Sequence, residues 1–178
     1  MNKARDPLAE ACGSVALVLA LNKPVYPLYV WFLAESAFQI SLLTALSMPF
    51  YITVWWLARR GKSFVARLGM VAVGTADTIF IAFVLGGESG TLMFLFACIM
   101  LAGMAFHARE VLLSRALIGL ILVLFVALYG RIGAPVRPVT PDDMQTLDYL
   151  NTTGAAALAA FIALRFFRSR AETVTPLA

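Results

Sequence analysis

The sequence predicts an all-α polytopic membrane protein with six transmembrane helices and both termini in the cytoplasm. Three observations carry this expectation. The 178-residue chain is 61% hydrophobic and only 13% charged, with a mean hydropathy of +0.86, whereas a soluble domain is about half apolar and a quarter charged. Several apolar runs reach the roughly 20 residues that a membrane span needs. The Lys and Arg residues gather in short clusters between those runs, as topology signals do. Six spans of about 20 residues use some two thirds of the chain and leave no room for a separate soluble enzyme domain.

The remaining composition narrows the field. The net charge of +4 is not gathered into a basic patch interleaved with aromatics, so membrane orientation explains it better than nucleic acid does. Cys12 and Cys98 are the only cysteines. Both lie in apolar surroundings, where a free thiol behaves as a small hydrophobe, and neither a disulfide framework nor a zinc site is indicated. The first 21 residues resemble a signal peptide in having Lys3 and Arg5 ahead of an apolar run. Asp6 and Glu10 spoil that pattern, and Asn22-Lys23-Pro24 stands where a cleavage site belongs, so the segment is expected to be retained.

Taken in order, residues 1–23 form either an interfacial helix or part of the first span, because Ala11–Leu21 is only about half a span long. Val25 to Ala58 runs without Lys or Arg. It holds either a hairpin of two short helices, or the end of a kinked first span of about 10–33 and a second of 38–58. Tyr26, Tyr29, Trp31 and Phe32, and the pair Trp55-Trp56, have the character of interface belts. Arg59-Arg60-Gly61-Lys62, with Arg67, is the densest basic cluster and is placed in the cytoplasm. A third span of about 66–85 rises to Gly86-Gly87-Glu88-Ser89-Gly90, and a fourth of about 91–106 returns to His107-Ala108-Arg109-Glu110. Leu112 to Tyr129 makes the fifth, with Tyr129 and Tyr149 as further belt residues. A Pro-rich outer segment, 131–147, then contains Thr140-Pro141-Asp142-Asp143, a helix start with Thr as N-cap, Pro in the first helical position and acids at the positive end of the dipole. The sixth helix continues to Phe167, and Arg165, Arg168 and Arg170 end it on the cytoplasmic side. Residues 24–170 thus make the six-helix membrane domain and 171–178 a short cytoplasmic tail. Basic loops at 59–67, 107–115 and 165–170 alternate with acidic turns at 86–90 and 130–148.

Few residues are candidates for chemistry. Asp77 lies midway along the third span, where a charged Asp costs roughly 2.5–3.5 kcal/mol on insertion scales, so it faces the bundle interior. It is either a proton- or cation-binding carboxylate beside Thr75 and Thr78, or a protonated carboxyl that simply bonds a neighbouring helix. Glu35 and Gln39 share a helix face. They are either a site or a solvated outer turn. Glu88 sits between glycines that can bring backbone close to a ligand or merely close a tight hairpin, and the plain hairpin is favoured. His107, the only histidine, is expected to cap a helix end and not to bind metal or haem. Ala155, Ala159 and Ala163, and Thr152, Ala156 and Ala160, form two small-xxx-small rows expected to serve helix packing, with a homodimer seam as the minor alternative. No H-E-x-x-H, Walker, G-x-S-x-G or dinucleotide motif occurs, so an enzyme is not expected. No haem, zinc or nucleotide cofactor is indicated. The metal question stays open, and a bound lipid or pigment is compatible with the composition.

Leu85-Gly86-Gly87-Glu88-Ser89-Gly90, the following Leu92-Met93-Phe94-Leu95-Phe96, Arg109-Glu110, the early Leu21-Asn22-Lys23-Pro24 and the late Leu150-Asn151 form a pattern over about 21–167. It resembles the six-helix membrane domains that precede bacterial class III nucleotide cyclases and related signalling proteins. The resemblance implies a receptor-like, dimerising anchor in the bacterial inner membrane. No cyclase or kinase domain follows Phe167 in this sequence, so the implied output passes through a partner, or the membrane domain acts alone. Asp77 departs from the uncharged polar residue expected there. The function expected is a non-enzymatic, sensor-like or ligand-binding module in the lipid bilayer. The alternatives are an accessory subunit of a larger membrane complex and, more weakly, a small proton- or cation-coupled transporter.

Overall fold

The computed structural model describes residues 6–174, with side chains described from 6 to 167. Among these residues it is built from helices, with no strand. Six helices follow one another: α1 (Pro7–Leu33), α2 (Glu35–Arg59), α3 (Ser63–Leu85), α4 (Thr91–Met104), α5 (Ala108–Leu128) and α6 (Pro141–Val174). All but α4 are long and apolar enough to cross a membrane. At 1.5 Å per residue α4 spans about 21 Å, short of the roughly 30 Å hydrocarbon core.

The N-terminal third adopts the long-first-helix arrangement of the two left open by its sequence. Asp6 caps α1 by accepting from the backbone N–H of Leu8 at 3.0 Å, and Pro7 takes the first turn where its missing N–H costs nothing. The helix runs on through Pro24 and Pro27. Ala11, Cys12, Val15, Ala16 and Ala20 are buried in the main core, so 11–21 is a packed part of α1 and not a separate interfacial helix.

Helix α2 is irregular for a reason written in its sequence. Ser41, Thr44 and Ser47 recur every three residues. Their hydroxyls donate to the backbone carbonyls of Phe38, Ser41 and Thr44 at 2.6, 2.7 and 3.0 Å. Hydroxyls bonded back to their own backbone compete with α-helical geometry, and Pro49 removes a further donor just downstream. The stretch Leu42–Ser47 is accordingly 3-10, with three residues per turn, so the three hydroxyls stack on one buried face. Regular α-helix resumes at Met48.

Helix α1 packs against α2, α3 and α6, and α4 packs against α3, α5 and α6, while α5 lies mainly on α4. Among α5 side chains only Ser114 and Ile121 are buried. Leu112, Val123 and Val126 point outward. Small residues set the closest approaches. A Cβ on Gly13 of α1 would stand 2.9 Å from Cβ of Ala58 on α2. On α6, Ala155 is buried and Ala159 and Ala163 half-buried, so this row serves packing within the bundle. Thr152, Ala156 and Ala160 face outward, so the expected packing role of Ala156 and Ala160 is not met inside the chain: the helix is turned so that the 155 row faces its neighbours and the adjoining row lies at the outer edge.

Side-chain ties mark the two ends of the bundle. At one, the guanidinium of Arg67, a buried residue on α3, holds both Glu110 oxygens (2.5 and 3.0 Å), the carbonyl of Ala105 (3.1 Å) and Asp6 (3.3 Å). Arg59 and Arg60 stack over Trp55 and Trp56 at this end, and Arg165 donates to Ser14. The start of α1 and the 165 region of α6 therefore lie together; the side chains of Arg168 and Arg170 and all of 175–178 are outside the described residues. At the other end Thr140 caps α6 as expected, accepting from the Asp143 N–H at 3.3 Å.

The Gly86–Gly90 turn is recessed within that second end. Asn151, ten residues into α6, bonds the carbonyl of Ser89, which puts the turn about 15 Å below the start of α6. Segment 132–136 closes over it through Gly87 N–H to Gly133 carbonyl (3.1 Å) and Val136 N–H to Val84 carbonyl (3.1 Å). Gly90 has φ +71, and a Cβ there would stand 2.5 Å from Oδ1 of Asp148. The glycines thus admit the chain's own α6, in agreement with the plain-hairpin expectation.

Candidate functional site: a cavity at a buried ion pair

The side chain of Asp77, 9% exposed, is the centre of a second buried ion pair, away from the Arg67 end. Lys23 Nζ, on α1 and 12% exposed, donates to Asp77 Oδ2 at 2.5 Å. The hydroxyl of Tyr51, on α2, donates to the same oxygen at 2.7 Å. The Lys23 ammonium also stands 5.6 Å from the Tyr51 ring centre, within cation–π range. Three helices are joined at one carboxylate oxygen. The other oxygen, Oδ1, is buried and bonds no described protein group.

This constellation lines a cavity of about 90 Å³ among α1, α2, α3, α4 and α6. A buried water needs roughly 10–15 Å³ on that measure, so the space suits about half a dozen waters or a ligand of a few heavy atoms. Most of its surface is apolar, Leu19, Met70, Ile81 and Phe94 among the contributors. Polar groups are nevertheless present beside Lys23, Tyr51 and Asp77: Asn22, Tyr26, Thr44, Thr78, Thr91 and Asn151.

A second polar junction closes the cavity toward the glycine turn. Asn151 accepts from the Tyr26 hydroxyl at 3.1 Å and donates to the Ser89 carbonyl at 2.8 Å and Thr91 Oγ1 at 3.3 Å. Thr91 Oγ1 in turn lies 2.8 Å from Ser89 Oγ. One amide thereby ties α1, the glycine turn and α6 together. Because truncating a buried partner leaves the others unpaired, Asn151→Ala is expected to cost about 1–3 kcal/mol. Tyr26→Phe, which leaves only the amide oxygen unpaired, should cost less. Thermal unfolding of the purified variants in detergent measures both, and equal stability of Asn151→Ala and wild type would contradict the junction.

The expected site residues are dispersed. Asp77 is in the cavity wall with Thr78, whose hydroxyl is engaged with the Gly74 carbonyl at 2.8 Å. Glu35 and Gln39 are exposed at the start of α2. Gln39 accepts from Arg137 there, and neighbouring Ser36 bonds Asp143. Glu88 is exposed on the glycine turn. The three carboxylates Asp77, Glu35 and Glu88 do not share a site. His107 caps a helix start: Glu110 accepts from its backbone N–H at 2.9 Å, completing a reciprocal capping pair. Tyr26 is turned inward and bonded, not placed in a belt, whereas Trp31 and Phe32 beside it are exposed.

Lys23, Tyr51 and Asn151 are the members that sequence reasoning missed. Lys23 had a usable signal: it and Asp77 are opposite charges standing alone in apolar runs, and charges at membrane depth pair with one another. Tyr51 and Asn151 gave none, since a Tyr or Asn near a span end is equally a belt or cap residue. No known family model matches the chain, and no curated protein matches it.

Proposed function

We propose that the protein is a non-enzymatic, ligand-binding membrane module whose ligand occupies the cavity beside Lys23, Asp77 and Tyr51. The observation that carries this is the space inside the bundle where polar groups from α1, α2, α3, α4 and α6 converge, with one buried carboxylate oxygen open to a donor. An ionic pair placed in an apolar bundle only for stability is a poor device, since apolar residues serve as well. A small ligand able to donate to Asp77 and accept from Lys23 gives the pair a use. Because Asp77 is already balanced by Lys23, a neutral ligand suits the site better than a cation. In this reading the bundle lies in a bacterial inner membrane, five helices crossing its full width and α4 as a shorter sixth span, with the Arg67 end in the cytoplasm, and the resemblance to cyclase-associated sensor domains describes its role. Occupancy changes how α1 packs on α2 and α3, and a partner receives the change at the Arg67–Glu110 end.

The test is a thermal-shift panel of short neutral alcohols and amides on the purified protein and on Asp77→Asn. Members that fit the cavity should raise the wild-type melting temperature and leave Asp77→Asn unmoved. A flat response across the panel in the wild type would sink the proposal. An accessory-subunit role has one observation in its favour, the broad apolar face of α5. Recovery of the protein only together with other subunits would support it.

A further inference from the structure

Asp77 also forms the floor of a second space. Between α2 and α3 an open, almost wholly apolar fissure of about 470 Å³ is walled by Leu46, Phe50, Ala72, Ala76 and Phe80, with Asp77 at its inner end. Leu46, Phe50 and Phe80 are exposed at its rim, on a face of helices long and apolar enough to cross a membrane. The fissure lies beside the 3-10 stretch Leu42–Ser47, and a mid-helix 3-10 segment is a frequent mark of a functional hinge. One carboxylate thus lies between the cavity and an opening on the apolar flank.

We infer that the ligand reaches the cavity sideways from the bilayer through the α2–α3 fissure, and that it is an amphiphile with an apolar tail and a neutral, hydrogen-bond-donating head. This rests on the ligand-binding reading above and adds the ligand's class and route. Three observations select the class. The fissure wall offers an alkyl chain apolar contact and leads to Asp77, so a tail can lie in it with its head at the carboxylate. The Asp77 side chain is nine-tenths buried, and its Oδ1 is unused by the described residues, so the head must donate, as a hydroxyl or an amide N–H does. Lys23 and Asp77 together are neutral, so a charged head would bring an unbalanced charge to membrane depth, where charges are costly.

The test uses the full chain in lipid nanodiscs and a long-chain primary alcohol carrying a photoreactive diazirine. Labelling of 46–50 and 72–80 should saturate. The unlabelled alcohol should compete, and the carboxylic acid and alkylammonium of equal chain length should not. Asp77→Asn should weaken saturable labelling about tenfold, the lower end for a charge-assisted hydrogen bond. Ala76→Trp, which fills the fissure without touching the cavity, should reduce it to the level on the outer face of α5, and Ala72→Phe serves if that variant does not fold. Labelling that never saturates and matches the α5 face would reveal ordinary surrounding lipid and overturn the inference, as would competition by the charged chains. The short-alcohol thermal shift separates the two proposals. If it persists in Ala76→Trp while long-chain labelling is insensitive to the plug, the lateral route fails and the cavity reading stands. If the wild type shows no shift and Asp77→Asn labels as the wild type does, the cavity reading itself has failed.

Discussion

Lys23→Met is expected to destabilise the protein by about 3 kcal/mol, at the lower end of the roughly 3–5 kcal/mol lost when one partner of a buried ion pair is removed. The lower end applies because the polar groups at the cavity offer Asp77 some relief, and Tyr51 still donates to it. Asp77→Leu should cost a similar amount, now because the Lys23 ammonium is left between α1 and α3 with no counter-charge. The informative variant is the double, Lys23→Met with Asp77→Leu. Removing both charges of a buried pair is frequently neutral or stabilising, so the double should recover most of the loss. In a chain of this size about 3 kcal/mol corresponds to roughly 6–12 °C in melting temperature. Additive losses in the double would show that the two side chains are not coupled and that the pair does not organise the interior.

The Arg67 junction is the second place where a single change should be severe. Arg67 is 2% exposed. Its planar fork meets both oxygens of Glu110 and donates to the Ala105 carbonyl, and Asp6 is ion-paired with it. Arg67→Met should cost about 3–5 kcal/mol by leaving two acids and a carbonyl without their common donor. It should also loosen the start of α1 from the α4–α5 turn, which hydrogen exchange at residues 6–12 and 105–111 would detect. Arg67→Lys should recover only part, since an ammonium cannot reproduce bidentate geometry. Added salt should change the wild-type melting temperature little, because a buried pair is poorly screened. Full stability of Arg67→Lys would show that charge alone, and not the fork, holds this end.

The parts of the fold legible in the sequence are those fixed by local chemistry. Apolar runs of span length had only one way to satisfy their backbone, as helices, so helix number and order followed from composition and punctuation. Thr140-Pro141-Asp142-Asp143 carries its cap in its own side chains, and the glycine turn announces itself by residues that tolerate φ near +70. The Ser41-Thr44-Ser47 repeat passed without notice in the sequence, and the structure showed its hydroxyls bonding carbonyls three residues away.

The site was legible only in its central residue. The cost of a carboxylate at membrane depth marks Asp77 whatever surrounds it, and Lys23 is marked by the same argument. What no local pattern contains is direction around a helix axis once every face is apolar. Tyr26 could sit in a belt or a cavity, Asn151 could cap or cross-link, and Glu35 could turn in or out. Each was decided by which helices α1 packs against. The sequence by itself determined an all-helical chain with membrane-length spans and a charge buried at depth. Only the tertiary structure decided that Lys23 and Tyr51 meet Asp77 on one oxygen, leaving the other buried between a cavity and a fissure. Residues separated by 54 and 26 positions are brought together by packing, to which periodicity along the chain is blind.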